Sequence, residues 1–173
     1  MNVPHFGPVM QMGFVVPDLE AAMDHWLRKV GLGPFYVMSN IRFATSVYRG
    51  KPTDADISVA IAQWGEMQVE LIQQFNDAPS IYRDFPGRDR GGLQHLGVMT
   101  QSVAADLERL GPLGIEAVQQ GSTANGIRFA YVSTDYFPGA MIELIEHGPI
   151  DDFFRMVRKA AQGWDGRDPI RRL

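Results

Sequence analysis

Gln11-Met-Gly-Phe-Val-Val-Pro-Asp18-Leu-Glu-Ala-Ala22 and His95-Leu-Gly-Val-Met-Thr-Gln-Ser102-Val-Ala-Ala-Asp106 are one pattern written twice, at a constant offset of 84 residues. In each copy a glycine follows the leading polar residue by two positions, and a helix-capping residue follows it by seven. An apolar run that meets Asp or Ser and then turns to helical spacing reads as a strand leading into a helix. A second echo lies downstream, where Val69-Glu70-Leu71-Ile72 matches Ile142-Glu143-Leu144-Ile145. Repetition of this kind decides the architecture before any single element does.

Working outward, strands are expected at Val9–Val16, Phe35–Tyr48, Ile57–Gln63, Met67–Gln74, Leu93–Thr100, Ile115–Gly121, Ile127–Ser133 and Ala140–Glu146. One helix opens at Asp18 and stops at the Gly31–Gly33–Pro34 cluster, and a second runs from Ser102 to Gly111. A third amphipathic stretch, Asp151 to Ala161, carries Phe153, Phe154, Met156 and Val157, and the polar tail after it reads as loosely ordered or held by a partner. The order is strand, helix, three strands, twice over. The expected fold is α+β, two βαβββ modules (9–75 and 93–147) in a single domain spanning 1–173, with a C-terminal helix and tail (148–173). The Pro-, Gly-, Asp- and Arg-rich segment Asn76–Gly92 is the natural linker.

Composition narrows the function. A formal charge of -4 gives no footprint for nucleic acid or an anionic membrane. Cysteine is absent, which excludes disulfides, thiolate metal sites and a cysteine nucleophile. The amino-terminal stretch lacks the basic and apolar regions of a secretory signal, and no apolar run approaches the ~20 residues that span a bilayer. A soluble, cytoplasmic protein is expected.

Four polar side chains stand at equivalent places in the two copies: Gln11 and His95 in the first strands, Glu70 and Glu143 in the fourth. Two modules packed about a local two-fold axis bring these positions together as one imidazole nitrogen and three oxygens. That set suits a divalent ion such as Zn²⁺, Ni²⁺, Co²⁺ or Mn²⁺ with positions left for water or substrate. Taken singly, each residue has an ordinary reading. A lone Glu in a strand faces solvent, and a lone His is a hydrogen-bonded core residue. Symmetry argues against four such accidents, and Glu143 shares its face with Met141 and Ile145, not with polar residues. Gly13 and Gly97 lie two positions past the first-strand residues on the same face, where they leave room for the ion or permit tight packing between modules.

The stretch Gly13-Phe-Val-Val-Pro-Asp18-Leu-Glu-Ala-Ala-Met-Asp-His-Trp-Leu-Arg-Lys-Val-Gly-Leu-Gly-Pro-Phe35 resembles the first strand and helix of the vicinal oxygen chelate superfamily, which includes glyoxalase I, methylmalonyl-CoA epimerase, extradiol dioxygenases and bleomycin-resistance proteins. The resemblance extends over Val9 to His147. It implies two βαβββ modules curling into a mixed-sheet cup around a metal, with Gln11, Glu70, His95 and Glu143 as ligands. It also implies Lewis-acid stabilisation of an enediolate formed when carbon next to a carbonyl loses its proton, with Glu143 as the catalytic base and Glu70 mainly holding the ion.

Residue types separate the branches. Extradiol dioxygenases need two His and one carboxylate, and Gln11 removes one of those His. The set Gln, Glu, His, Glu matches one group of glyoxalase I enzymes. Methylmalonyl-CoA epimerases usually carry His where Gln11 stands and take a second acid from the third strand, where this chain reads Ser58-Val59-Ala60. The expectation is a metal-dependent lyase or isomerase of glyoxalase I or epimerase type, acting on an α-hydroxycarbonyl, thiohemiacetal or acyl-CoA substrate. The alternative is a non-catalytic small-molecule binder of the bleomycin-resistance type. A homodimer is expected from the family and from the apolar face of the last helix. Trp64, Phe43, Phe129 and Tyr131 are candidates to line the cup, Trp26, Met23 and Leu27 read as core, and Arg83, Arg88 and Arg90 read as a solvated loop.

Overall fold

The computed structural model describes residues 5–133 and 141–173. Along the chain run β1 (Val9–Val15), α1 (Leu19–His25, continued by a wider π turn over Trp26–Val30), β2 (Phe35–Met38), β3 (Phe43–Tyr48), β4 (Lys51–Pro52), β5 (Ile57–Trp64) and β6 (Met67–Gln74). There follow β7 (Gly92–Thr100), α2 (Val103–Leu110), β8 (Ala117–Thr123), β9 (Arg128–Val132), β10 (Met141–Glu146), α3 (Pro149–Ala161) and β11 (Ile170–Arg172). All strands join one curled, mixed sheet in the order β11-β2-β5-β6-β1-β7-β10-β9-β8-β3-β4. Its centre is a two-fold pattern: β1 and β7 pair antiparallel, and each is flanked by a parallel fourth strand, β6 or β10.

Local chemistry starts and stops the helices as the repeat suggests. Asp18 accepts from the Ala21 amide at 2.9 Å and Ser102 from the Ala105 amide at 3.2 Å. Gly31 ends the first helical stretch in the left-handed region, φ 75°, where glycine has no Cβ to clash. Helix α1 lays Leu19 and Met23 on the outer face of one half of the sheet, over Phe35, Val37, Val69 and Leu71. Helix α2 does the same for the other half with Val103 and Leu110 over Val98, Ala130 and Leu144. The third cluster is the inner face of the sheet itself, where Val157, Phe153 and Phe154 of α3 pack among Tyr36, Val59 and Ile61.

Four differences from the sequence reading have clear causes. Phe35–Tyr48 is two strands, because the chain turns at Ser39–Asn40, with Asn40 at φ 50°, and β3 crosses to pair with β8 of the other half. The segment Asn76–Gly92 is more than a linker: Ser80, Ile81 and Tyr82 are buried. The tail is ordered against its own chain, with Trp164 packed on Gly33 and Leu27, and β11 added parallel to β2. Helix α3 packs back on the sheet, so the face offered above for a homodimer is largely covered by this chain, leaving Met156 exposed. Ala140, the expected start of the last strand, lies outside the described residues.

Candidate metal centre and active site

Strand register brings the four predicted residues into two adjacent rows on the inner face. One row reads Gln68, Gln11, Gly97, Glu143, Tyr131 across β6, β1, β7, β10 and β9. The next reads Ile61, Glu70, Gly13, His95, Met141 across β5, β6, β1, β7 and β10. Turned about the β1–β7 seam, each row becomes the other: Gln11 exchanges with His95, Glu70 with Glu143 and Gly13 with Gly97. The glycines serve the opposite half. A Cβ on Gly13 would fall inside the His95 imidazole, and one on Gly97 would meet the Gln11 side chain at 2.8–2.9 Å. The tight packing between modules read in the sequence is seen here, and it is what seats the His95 and Gln11 side chains.

The cluster is buried and its polar atoms converge. Gln11, Glu70, His95 and Glu143 are all buried, His95 completely. One donor atom each from Glu70, His95 and Glu143 lies within 4.8 Å of the other two. His95 Nε2 stands 3.2 Å from a carboxylate oxygen of Glu70 and 3.2 Å from one of Glu143. Metal–ligand bonds of about 2.0–2.2 Å at tetrahedral to octahedral angles give donor-to-donor spacings of roughly 2.8–3.6 Å. Gln11 Oε1 is buried without a hydrogen-bond partner, and Glu70 Oε2 and His95 Nε2 have only the cluster itself to face, at 3.2 Å. Orphaned buried acceptors are costly, and a cation between them removes the cost. The residues therefore fit a divalent ion.

Neighbouring groups orient the donors. His95 Nδ1 lies 2.8 Å from Gln94 Oε1 and donates to it, so Nε2 is the nitrogen turned to the carboxylates, and its lone pair is offered there once its proton leaves. Gln11 Nε2 donates to Gln68 Oε1 at 3.2 Å, which turns the Gln11 carbonyl oxygen away from that partner. Burial alone would lower the His95 pKa, but Glu143 and Glu70 outweigh it and hold the metal-free imidazole up at about 9. Burial, with the nearby Glu143 charge adding to it, pushes the Glu70 carboxyl up against the pull of His95. An ion entering here must displace a proton.

Above the cluster opens a cavity of about 360 Å³, floored by Gln11, Glu70 and Glu143. Phe43, Phe129 and Tyr131 line it, as the sequence suggested, whereas Trp64 is exposed and stacks edge-on to Trp26 on the outside. The third strand contributes Ile57, Val59 and Ile61 to the wall, so no acid faces the cup from β5. Three contributors were missed in the sequence, Gln68, Gln94 and Tyr82. Tyr82 Oη donates to Tyr131 Oη at 3.1 Å, and the Tyr131 ring meets His95 edge-on at 5.1 Å. Burial, reinforced by the carboxylates, raises both phenols far above their usual range, so they stay neutral donors. No local signal marks Tyr82; it is delivered because Gln119 Oε1 accepts from the Ile81 amide at 3.0 Å. Arg83 and Arg88 pair with Asp77 and Asp89, and neither they nor Arg90 line the cavity.

Among known structures, methylmalonyl-CoA epimerase from Mycobacterium tuberculosis is similar over 86% of this chain and 93% of its own, at 17% identity and TM-score 0.58. A hypothetical protein from Bacillus halodurans matches 82% of this chain and 94% of its own, at 14% identity and TM-score 0.58. A variant of Streptomyces coelicolor methylmalonyl-CoA epimerase, in complex with 2-nitronate-propionyl-CoA, matches 83% of this chain and 96% of its own, at 13% identity and TM-score 0.55. At such identities the likeness concerns the fold. No curated protein sequence matches the chain. A family profile matches residues 10–131, from the strand that carries Gln11 to the strand that carries Tyr131, and the chain belongs to the Glyoxalase/Bleomycin resistance protein/Dioxygenase superfamily.

Proposed function

We propose that this chain is a divalent-metal-dependent lyase or isomerase that moves a proton on carbon next to a carbonyl, with Zn²⁺, Ni²⁺, Co²⁺ or Mn²⁺ held by Gln11, Glu70, His95 and Glu143. The observation that carries the proposal is the convergence of the buried Glu70, His95 and Glu143 donor atoms, with the unpartnered Gln11 oxygen beside them, under an open cavity. When bound, the ion supplies Lewis acidity toward oxygens of the substrate.

The protein's own residues do the rest. Glu143 takes the proton and returns it to the same or a neighbouring carbon. Its cross-strand partner is Tyr131, whose hydroxyl stands ready for a substrate oxygen, whereas Glu70 has apolar Ile61 in the equivalent place. That asymmetry supports Glu143 as base and Glu70 as holder. With no acid on the inner face of β5, epimerisation by two opposed bases has no second base there, and return of the proton by the same carboxylate is favoured. The epimerase relatives make acyl-CoA thioesters one candidate class, with α-hydroxycarbonyls and thiohemiacetals the others.

Metal analysis of the purified, untagged protein is the first test, with about one ion per chain expected. Glu143→Gln should keep the ion and lower turnover by roughly 10²–10⁴-fold. Glu70→Gln should cost less, and His95→Ala should lose metal and recover partly with excess. Failure to bind any divalent ion rejects the enzyme reading and leaves a small-molecule binder. Equal turnover in wild type and Glu143→Gln removes the base assignment.

A further inference from the structure

We infer that the substrate has an apolar body, one or two rings in size, and places its oxygens at the floor and no charged group inside the cup; this rests on the floor being the metal site proposed above. The walls carry the inference. Ile57, Val59, Ile61, Ile72, Phe129 and Ile145 all face the cavity and are at most 6% exposed. Depth follows from register. Ile61 pairs with Glu70 at the floor, and Ile57 takes the Ile41 amide beside the exposed loop at the mouth. Four residues of strand separate them, a depth of about 13 Å at 3.3 Å per residue. That exceeds what a methyl or ethyl group fills, and a short acyl chain would leave most of the wall facing water.

Charge excludes the other classes of body. Among the described lining residues, Arg42 is the only charged side chain besides the two floor carboxylates, and it is exposed. A second carboxylate inside the cup would lie against isoleucine and phenylalanine with no cation to meet it, which is prohibitive for a buried charge. Beside the floor, the Tyr82–Tyr131 pair is a polar feature of the wall. One hydroxyl hydrogen joins the two, and the other remains for a single substrate oxygen near Glu143.

Hydroxamates offer two vicinal oxygens on a variable body and test the wall directly. Dissociation constants of acetohydroxamate, 2-naphthohydroxamate and succinic monohydroxamate are measured by calorimetry on the metal-loaded protein. The naphthyl compound should bind at least about 100-fold more tightly than the acetyl compound, as burial of a two-ring surface requires. The succinyl compound should bind no better than the acetyl one. Val59→Trp, or the milder filling Ile57→Phe, should remove most of the naphthyl gain and leave acetohydroxamate affinity unchanged. Near-equal affinities for all three, or tightest binding of the succinyl compound, overturns the inference. Acetohydroxamate binding that ignores metal loading overturns the metal reading instead. In that event 2-naphthamide against acetamide makes the same comparison of the wall without a chelating head, with the same outcomes.

Discussion

A Cβ on Gly13 would lie 1.8 Å from Cε1 of His95, so the imidazole fills the space in which the facing strand would otherwise carry a side chain. Gly13→Ala must therefore push His95 out of its row. We expect loss of most bound metal and a stability cost of about 1–3 kcal/mol from overpacking. Gly97→Ala should be milder, because its contact is with the flexible Gln11 amide at 2.8 Å. Metal content and thermal denaturation of the two variants check the ranking, and full metal in Gly13→Ala contradicts it.

Gln94 touches the proposed metal site only through His95. Gln94→Leu removes the acceptor for the Nδ1 proton and leaves a buried donor unpaired. Metal affinity should fall roughly 10–100-fold with the ligands all present, as read by competition with a chromophoric chelator. An unchanged affinity would show that packing alone holds the ring.

Tyr131→Phe should keep metal and fold but slow turnover by up to about 10²-fold, the cost of losing one well-placed donor. Tyr82→Phe should have a smaller effect, since it changes only how the Tyr131 hydroxyl is held. Single-turnover rates at fixed metal occupancy separate the two. Wild-type rates in both variants would confine the pair to a structural role.

Acid stability should depend on Glu146. Its carboxylate accepts from the Val103 amide at the start of α2 and from Arg128, and the amide bond, more than the guanidinium, holds its pKa below the usual value. A depressed folded pKa means that the stabilisation is complete above the unfolded value of about 4.3 and is lost as pH falls through the lower folded one. Glu146→Gln should thus be less stable than wild type at pH 7, and the difference should shrink between pH 5 and pH 3. Urea midpoints at pH 7, 5 and 3.5 read this, and a constant difference would refute it.

Much of the site was legible because the two-fold pattern is written in the sequence. Gln11 and His95 share an offset with their glycines and caps, and Glu70 and Glu143 sit in matching apolar tetrads, so strand register needed only to bring them together. Gln94 was hidden by its neighbour: adjacent residues on a strand face opposite ways, and nothing in the spacing says that its side chain returns to the His95 ring. Tyr82 lies among turn-forming residues and is fixed by Gln119, 38 residues from Ile81, a contact that no local pattern carries. The tail reads as polar by composition, yet backbone pairing to β2 needs no apolar side chains. The break at Ser39–Asn40 was missed because the flanking residues alternate well enough to pass as one strand.

The berth beneath Gln11 has a consequence for the ancestry and future of the fold. Gly97 already clears for position 11 the room that Gly13 clears for His95. An imidazole in place of the Gln11 amide finds a seat prepared for it, and the chain stands one codon's worth of change from a two-histidine, two-carboxylate set. Closing that seat with a larger residue at position 97 would shut this route while touching no ligand. Glycines on one half thus decide which side chains the facing strand of the other half has room to carry.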